Sequence, residues 1–158
     1  MDIILFRHGI AEERGKKTDD SKRALTEEGI QKIQRAALVL NQVLDVEKLS
    51  IWHSPLLRTV QTAEILREVW GLKEMTPKDW IASGEDWTFE KSLGDAQKET
   101  LVIVGHAPML DFWCEDLCGE KIKLKKGGAV CIRWTVGSEG ELAWLMQPKG
   151  WQLFAHRR

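Results

Sequence analysis

Apolar positions along this chain fall into two patterns, short unbroken runs and stripes spaced by three and four, and the two alternate. Ile3-Ile4-Leu5-Phe6, within residues 2–6, is β-branched and uninterrupted, which predicts a strand buried on both faces. Leu49-Ser50-Ile51-Trp52 predicts a second strand, and Thr100 to Val104 is the clearest buried run of all. Helical spacing separates these runs. Thr26 is a good N-cap, Glu27 and Glu28 suit the positive end of a helix dipole, and Ile30, Ile33, Ala37, Leu40 and Leu44 form one apolar face. A second helix is expected to open with Ser54 as its cap and Pro55 in the first turn, and to run to about Trp70 before Gly71 stops it. A third should start near Pro108 and pass through Phe112, Trp113 and Leu117 to Gly119. Ile10 to Ala24 reads as a polar surface loop. Lys73 to Glu99 reads as irregular, broken by Pro77 and Gly84, with a short helix around Trp87 to Leu93. Ala129 to Val136 and Leu142 to Met146, joined by a turn at Gly137 to Gly140, predict two closing strands.

Strands alternating with helices, each return long enough for a crossover, predict an α/β fold: a three-layer α/β/α sandwich with a largely parallel central sheet. No repeat, low-complexity tract or linker interrupts residues 1–158, which are read as one domain. Charge then narrows the function. With 23 basic and 24 acidic residues the net charge is -1, too balanced for a broad nucleic-acid footprint, so any basic site must be local. The first apolar run, cut at Arg7, is too short for a signal peptide or a membrane span. Cys114, Cys118 and Cys131 make an odd count, which predicts free thiols in a reducing compartment and a cytoplasmic location. Cys114 and Cys118 lie four apart on one helical face with no histidine nearby to complete a zinc set, and read as small buried apolar residues. Eight tryptophans without a tyrosine suggest core packing and nothing more specific.

Three distant stretches each bring a phosphate-binding side chain to a strand or helix end: Arg7-His8-Gly9, Ser54-Pro55-Leu56-Leu57-Arg58-Thr59, and Val104-Gly105-His106. In parallel sheets ligands bind beyond the carboxyl ends of the strands, where Arg7, His8 and His106 should fall. Arg7 and Arg58 each offer a planar fork of donors, His106 a further hydrogen bond, and the helix near Pro108 a positive dipole end. His8, as a neutral imidazole, could attack phosphorus and form a covalent phosphohistidine that water later hydrolyses. Gly9 is expected to let backbone approach the phosphate closely. His53 could stand at the rim of such a pocket, and His156 in the basic tail reads as solvated.

These motifs, with Ala11 two positions after Gly9, Arg23-Ala24-Leu25-Thr26-Glu27-Glu28-Gly29, the continuation Val60-Gln61-Thr62-Ala63, and Met146-Gln147-Pro148, resemble the histidine phosphatase superfamily and within it the short SixA-type phosphohistidine phosphatases. The likeness runs from Met1 to about Pro148. It implies His8 as nucleophile, phosphate ligands Arg7, His8, Arg58 and His106, no metal and no organic cofactor. As partner it implies a phosphorylated protein, a histidine phosphotransfer or phosphocarrier domain, rather than a nucleic acid or a membrane. Mutases and acid phosphatases of the superfamily carry a carboxylate proton donor in an insertion or beside the second histidine. Ala107 and Pro108 follow His106 here, and between Lys73 and Glu99 there is room for only a small insertion, with Glu85 and Asp86 the nearest candidates. An imidazole leaving group, with a pKa near ~6.5 when free, needs no such acid, whereas an alkoxide does. Phosphohistidine hydrolysis is therefore the leading reading. A phosphomonoesterase or mutase using Glu85 or Asp86 is the first rival. A non-catalytic phosphate- or phosphopeptide-binding module is the second.

Overall fold

In β1 (Asp2–Arg7) Ile3 and Leu5 face one side of a sheet and Ile4 and Phe6 the other, and all four are fully buried, which is why the run carries no polar alternation. The structure is a computed structural model that describes residues 1–15, 19–85, 91–94, 96 and 98–155. Around β1 stand β2 (Leu49–His53), β3 (Thr76–Pro77), β4 (Thr100–Gly105), β5 (Ala129–Arg133) and β6 (Glu141–Met146), in the order β3-β2-β4-β1-β5-β6. The first four strands are parallel, and β5 and β6 extend the sheet antiparallel beyond β1.

On the Ile4 side pack α1 (Glu27–Asn41), α2 (Leu57–Trp70) and Trp151 of the C-terminal helix. On the Ile3 side pack α3 (Trp80–Ser83) and α4 (Met109–Cys118). The C-terminal helix α5 spans Pro148–Ala155. This gives the three layers expected for a mostly parallel sheet. Thr26 caps α1 as anticipated, its Oγ1 accepting the Gly29 N–H at 3.1 Å. Gly29 is obligatory on steric grounds, because a Cβ there would collide with the Ile10 carbonyl. That contact pins α1 against the chain leaving β1. Gly71 ends α2 in the left-handed region at φ 68°. Cys114, Cys118 and Cys131 are buried free thiols; burial pushes Cys114 and Cys131 up to about 12.

Three expectations need correction. The second helix begins at Leu57, not at Ser54, and Ser54 does not cap it. Ser54 N–H still donates to Val104 O at 3.2 Å, so the residue remains tied to the sheet and its side chain is free for another use. The Lys73–Glu99 stretch is less irregular than its sequence suggests, since Thr76 and Pro77 pair with Trp52 and His53 and α3 follows. Pro77 is tolerated because β3 is an edge strand with no further ladder to donate to. The strand expected to reach Val136 ends at Arg133. Of the short helix expected at Trp87 to Leu93, residues 86–90 lie outside those described and 91–93 are helical.

Candidate active site

Parallel register sets the chemistry. Arg7 pairs with Gly105 and His53 with Val104, so the residues that follow β1, β2 and β4 emerge side by side at the carboxyl edge. There a cleft of about 390 Å³ is lined by Arg7, His8, Arg58 and His106, the four residues singled out from sequence, joined by Arg23, Lys126 and the Ala11–Arg14 segment.

His8 is 6% exposed, and its Nδ1 lies 2.7 Å from the Gly9 carbonyl. A carbonyl can only accept, so Nδ1 carries the proton and Nε2 keeps its lone pair. Burial lowers the His8 pKa to about 3, helped by His106, Arg58 and Arg7 and opposed by the bond to Gly9. The imidazole is therefore neutral at pH 7. Gly9 itself does not line the cleft. A Cβ there would press on the Ile33 and Leu25 side chains at 2.8–3.3 Å, so its smallness serves the α1 contact rather than an approach to phosphate. Its N–H donates to Thr62 Oγ1 at 3.2 Å, and that hydroxyl donates to Arg58 O at 2.7 Å, which locks the turn after His8 to α2.

Arg7 Nη1 donates to Leu124 O at 2.7 Å. Arg58, 5% exposed, directs Nη1 to Asp20 O at 3.1 Å and Nη2 to Asp20 Oδ2 at 3.4 Å. The same carboxylate accepts from Arg23 Nε at 2.7 Å. His106 Nε2 sits 2.8 Å from Ser54 Oγ, and burial, followed by Arg58 and Arg7, lowers its pKa to about 4. Ser54 Oγ also accepts the Leu56 N–H at 3.1 Å, and Thr59 Oγ1 lies 2.9 Å from it. Among the described residues, the buried side-chain nitrogens with no partner are Arg7 Nε, Arg58 Nε and His106 Nδ1. All three belong to residues that line the cleft. Leaving a buried donor unmet costs about 1–3 kcal/mol, so their concentration here fits an anion with several acceptor oxygens.

His53 is buried but does not line the cleft; its Nδ1 bonds the Ser54 carbonyl at 2.9 Å. Glu85 is exposed and away from the cleft, while Asp86 and His156 lie outside the described residues. Sequence reasoning overlooked the carboxylates that do line it, Glu12 and Glu13. Glu12 Oε1 accepts the Ala24 N–H at 2.8 Å. It also gave no role in the site to Thr62, Arg23 or Asp20, and read Ser54 only as a helix cap. A signal existed for the threonines: Thr59 and Thr62 interrupt the buried face of α2 with hydroxyls. Among the described residues no three His, Cys, Asp or Glu side chains group closely enough to hold a metal ion, and no helix is long and apolar enough to cross a membrane.

Residues 3–81 match the family described as the histidine phosphatase superfamily, branch 1. The chain belongs to that superfamily. An uncharacterised protein of Picosynechococcus sp. is 33% identical over 172 aligned positions, which span 94% of this chain and 98% of that protein. In fold, the chain is similar to the protein histidine phosphatase SixA solved with tungstate, at TM-score 0.80 and 22% identity, covering 94% of this chain and 98% of that one. It is also similar to a phosphoserine phosphatase from Entamoeba histolytica solved with phosphoserine, at TM-score 0.68 and 17% identity, covering 94% and 98%.

Proposed function

We propose that this protein is a phosphohistidine phosphatase that removes phosphate from a phosphorylated histidine of another protein through a covalent intermediate on His8. The observation that carries the reading is the state of His8: Nδ1 committed to Gly9 O, Nε2 free, and the ring neutral in a cleft with two arginines. In the first step the His8 Nε2 lone pair forms a bond to phosphorus while the P–N bond of the substrate breaks, and its electron pair stays on the departing imidazole. That imidazole leaves as the neutral ring if its distal nitrogen was protonated. In the second step water attacks phosphorus, the P–Nε2 bond breaks, and inorganic phosphate and neutral His8 are regenerated. Arg7 and Arg58 offset the charge on the equatorial oxygens. His106 donates from Nδ1 when the Ser54 hydroxyl gives its own proton to Nε2; Leu56 N–H already occupies one acceptor position of Ser54 Oγ.

Glu12 and Glu13 on the cleft favour a second reading, a phosphomonoesterase in which one of them, rather than Glu85 or Asp86, protonates an alkoxide. Glu12 is the weaker candidate because its Oε1 already accepts the Ala24 N–H. The deciding experiment is phosphate release from a phosphohistidine peptide and from p-nitrophenyl phosphate and phosphoserine in parallel. Preference for the phosphohistidine peptide is expected. Faster release from phosphoserine would overturn the reading, and no release from any of them would leave a binding module.

A further inference from the structure

Residues 121–128 form a strap that reaches the cleft at Lys126, and its two sides differ in kind. Ile122 and Leu124 turn inward, Leu124 being buried, while Lys121, Lys123 and Lys125 alternate outward and Lys126 reaches the cleft. Exposure alternates with a period of two along 121–125, as in extended chain where alternate side chains share one face roughly 7 Å apart, so the lysines form a row. The backbone of this segment is fastened to the turn carrying His8 at Leu124, Gly127 and Gly128. Arg7 Nη1 donates to Leu124 O at 2.7 Å and Arg7 N to Gly128 O at 3.0 Å. Gly127, at φ 83°, donates its N–H toward the carbonyls of Arg7 and His8 at 3.1 and 3.0 Å. From the other side Asp111 Oδ1 accepts from Leu124 N, Gln147 Oε1 from Lys125 N, and Lys123 O from Gln147 Nε2, at 2.8–3.0 Å. Lys121 approaches Glu115 at 3.9 Å, but among the described residues Lys123, Lys125 and Lys126 enter no ion pair. On a chain whose net charge is -1, this is a fixed local row of cations.

We infer that the strap is a docking surface for an acidic protein face surrounding the phosphorylated histidine, and that it gives the cleft its preference among phosphoproteins. This rests on the phosphohistidine reading above. A small phosphorylated molecule held in the 390 Å³ cleft would meet Lys126 alone, whereas Lys123 and Lys125 stand outside it and can be reached only by a ligand that continues beyond the phosphoryl group. Across the cleft the wall is mixed, with Glu12 and Glu13 beside Arg14 and Arg23. A partner's carboxylates are therefore steered to the strap side, which fixes one orientation. Fastening to Arg7 and His8 keeps that orientation in register with the nucleophile.

Three probes test this: N-phosphoimidazole, which has no flanks, and two peptides of equal length bearing one phosphohistidine flanked by Asp and Glu or by Lys. At low salt the wild-type protein should show kcat/KM for the acidic peptide about tenfold or more above that for the basic one, a gap that closes as salt is raised. Lys123→Glu with Lys125→Glu should abolish or invert that preference and leave N-phosphoimidazole turnover within about twofold, since neither side chain reaches the cleft. The neutral pair Lys123→Gln and Lys125→Gln should give an intermediate loss, and serves if the charge reversal disturbs folding. Equal cleavage of both peptides by the wild-type protein, or a preference unchanged in the double variants, overturns the docking surface while the phosphohistidine reading stands. Failure to cleave any of the three probes overturns both.

Discussion

Two clefts open at opposite edges of the same sheet, and the larger is the less chemical. At the amino ends of the strands a cleft of about 680 Å³ is lined by Met1, Asp2, Glu99, Arg133, Glu139 and Glu141 among others. At the carboxyl ends the cleft is about 390 Å³. Polar groups at the amino edge satisfy one another or stand in water: the Met1 ammonium donates to Trp134 O at 2.9 Å, and Arg133 Nε lies 3.8 Å from Asp2 Oδ1. At the carboxyl edge two arginines and a histidine keep buried nitrogens without a partner beside the neutral His8, the proposed nucleophile. The fold creates both clefts as a consequence of strand ends and loops. What separates them is unmet donor capacity, which a ligand can supply and volume cannot indicate.

The most direct way to break this contrast is to remove the proposed nucleophile, His8. His8→Ala should lower phosphohistidine hydrolysis by at least about 10⁴-fold while the circular dichroism spectrum stays native. Rapid quenching with labelled substrate should trap phosphate on the wild-type protein and none on the variant. Label retained on His8→Ala would move the nucleophile elsewhere. Next in size is Arg58→Lys, expected to cost about 10²–10³ in rate, because a point charge cannot replace a planar fork. Near-normal activity there would put Arg58 outside the phosphate's reach.

Asp20 refines the same comparison from inside the active edge. Its carboxylate and carbonyl accept from both Nη atoms of Arg58, so under the proposed function a phosphate would share that guanidinium with Asp20. Asp20→Asn removes a competing negative charge and weakens the anchor. We expect inorganic phosphate to bind about two- to fivefold more tightly and kcat to fall by a similar factor, the modest size of a half-exposed ion pair. Measuring Ki for phosphate beside kcat separates the two effects. An unchanged Ki would show that Asp20 does not compete.

Much of this site was legible because sheet topology makes it so. An apolar run ending in Arg7-His8, and another ending in Gly105-His106, must deliver those side chains to one edge once the strands are parallel neighbours. Arg58 was legible by its place near a helix start. What stayed hidden depends on contacts between distant segments. Ser54 resembled a helix cap, and only the pairing of β2 with β4 turns its hydroxyl to His106 across 52 positions. Asp20 lay in a stretch read as a solvated loop, because no local pattern reveals that the 3-10 turn Asp20–Lys22 packs on α2. Gly9 was explained by the wrong neighbour, since the helix face that fills the space beside it is 24 residues away.

Burial of two neutral histidines at one edge also leaves a signature in stability. His8 and His106 titrate at about 3 and about 4 when folded, against ~6.5 for a free side chain. Below pH 6.5 the unfolded chain takes up protons that the folded chain refuses. Stability should therefore be undiminished by these groups above pH 7 and fall from about pH 6.5 toward pH 4, by on the order of 1 kcal/mol per pH unit for each histidine. Urea unfolding at pH 7 and pH 5 would show it, with a smaller difference in His8→Asn or His106→Asn. An equal difference in all three proteins would mean that the rings are not buried neutral. For the same reason, loss of the His8 nucleophile by protonation should set in well below pH 6.5, and activity should persist across neutral pH.

The smallest expected effects decide the substrate. If phosphohistidine leaves as an imidazole, no enzyme carboxylate has to donate a proton, and Glu13→Gln on the cleft should change its hydrolysis by less than about twofold. Glu85→Gln, exposed and outside the cleft, and Arg133→Ser at the opposite edge should behave alike, so that residues at three different distances from His8 give the same result. The comparison gains force from a second substrate. On phosphoserine, whose alkoxide needs a proton, the wild-type protein should be very slow, and Glu13→Gln should leave that low rate equally unmoved. A hundredfold loss on either substrate in Glu13→Gln, the usual size of a general-acid contribution, would instead identify Glu13 as the acid. The smaller cleft would then belong to a phosphomonoesterase, and the argument from the leaving group would fail.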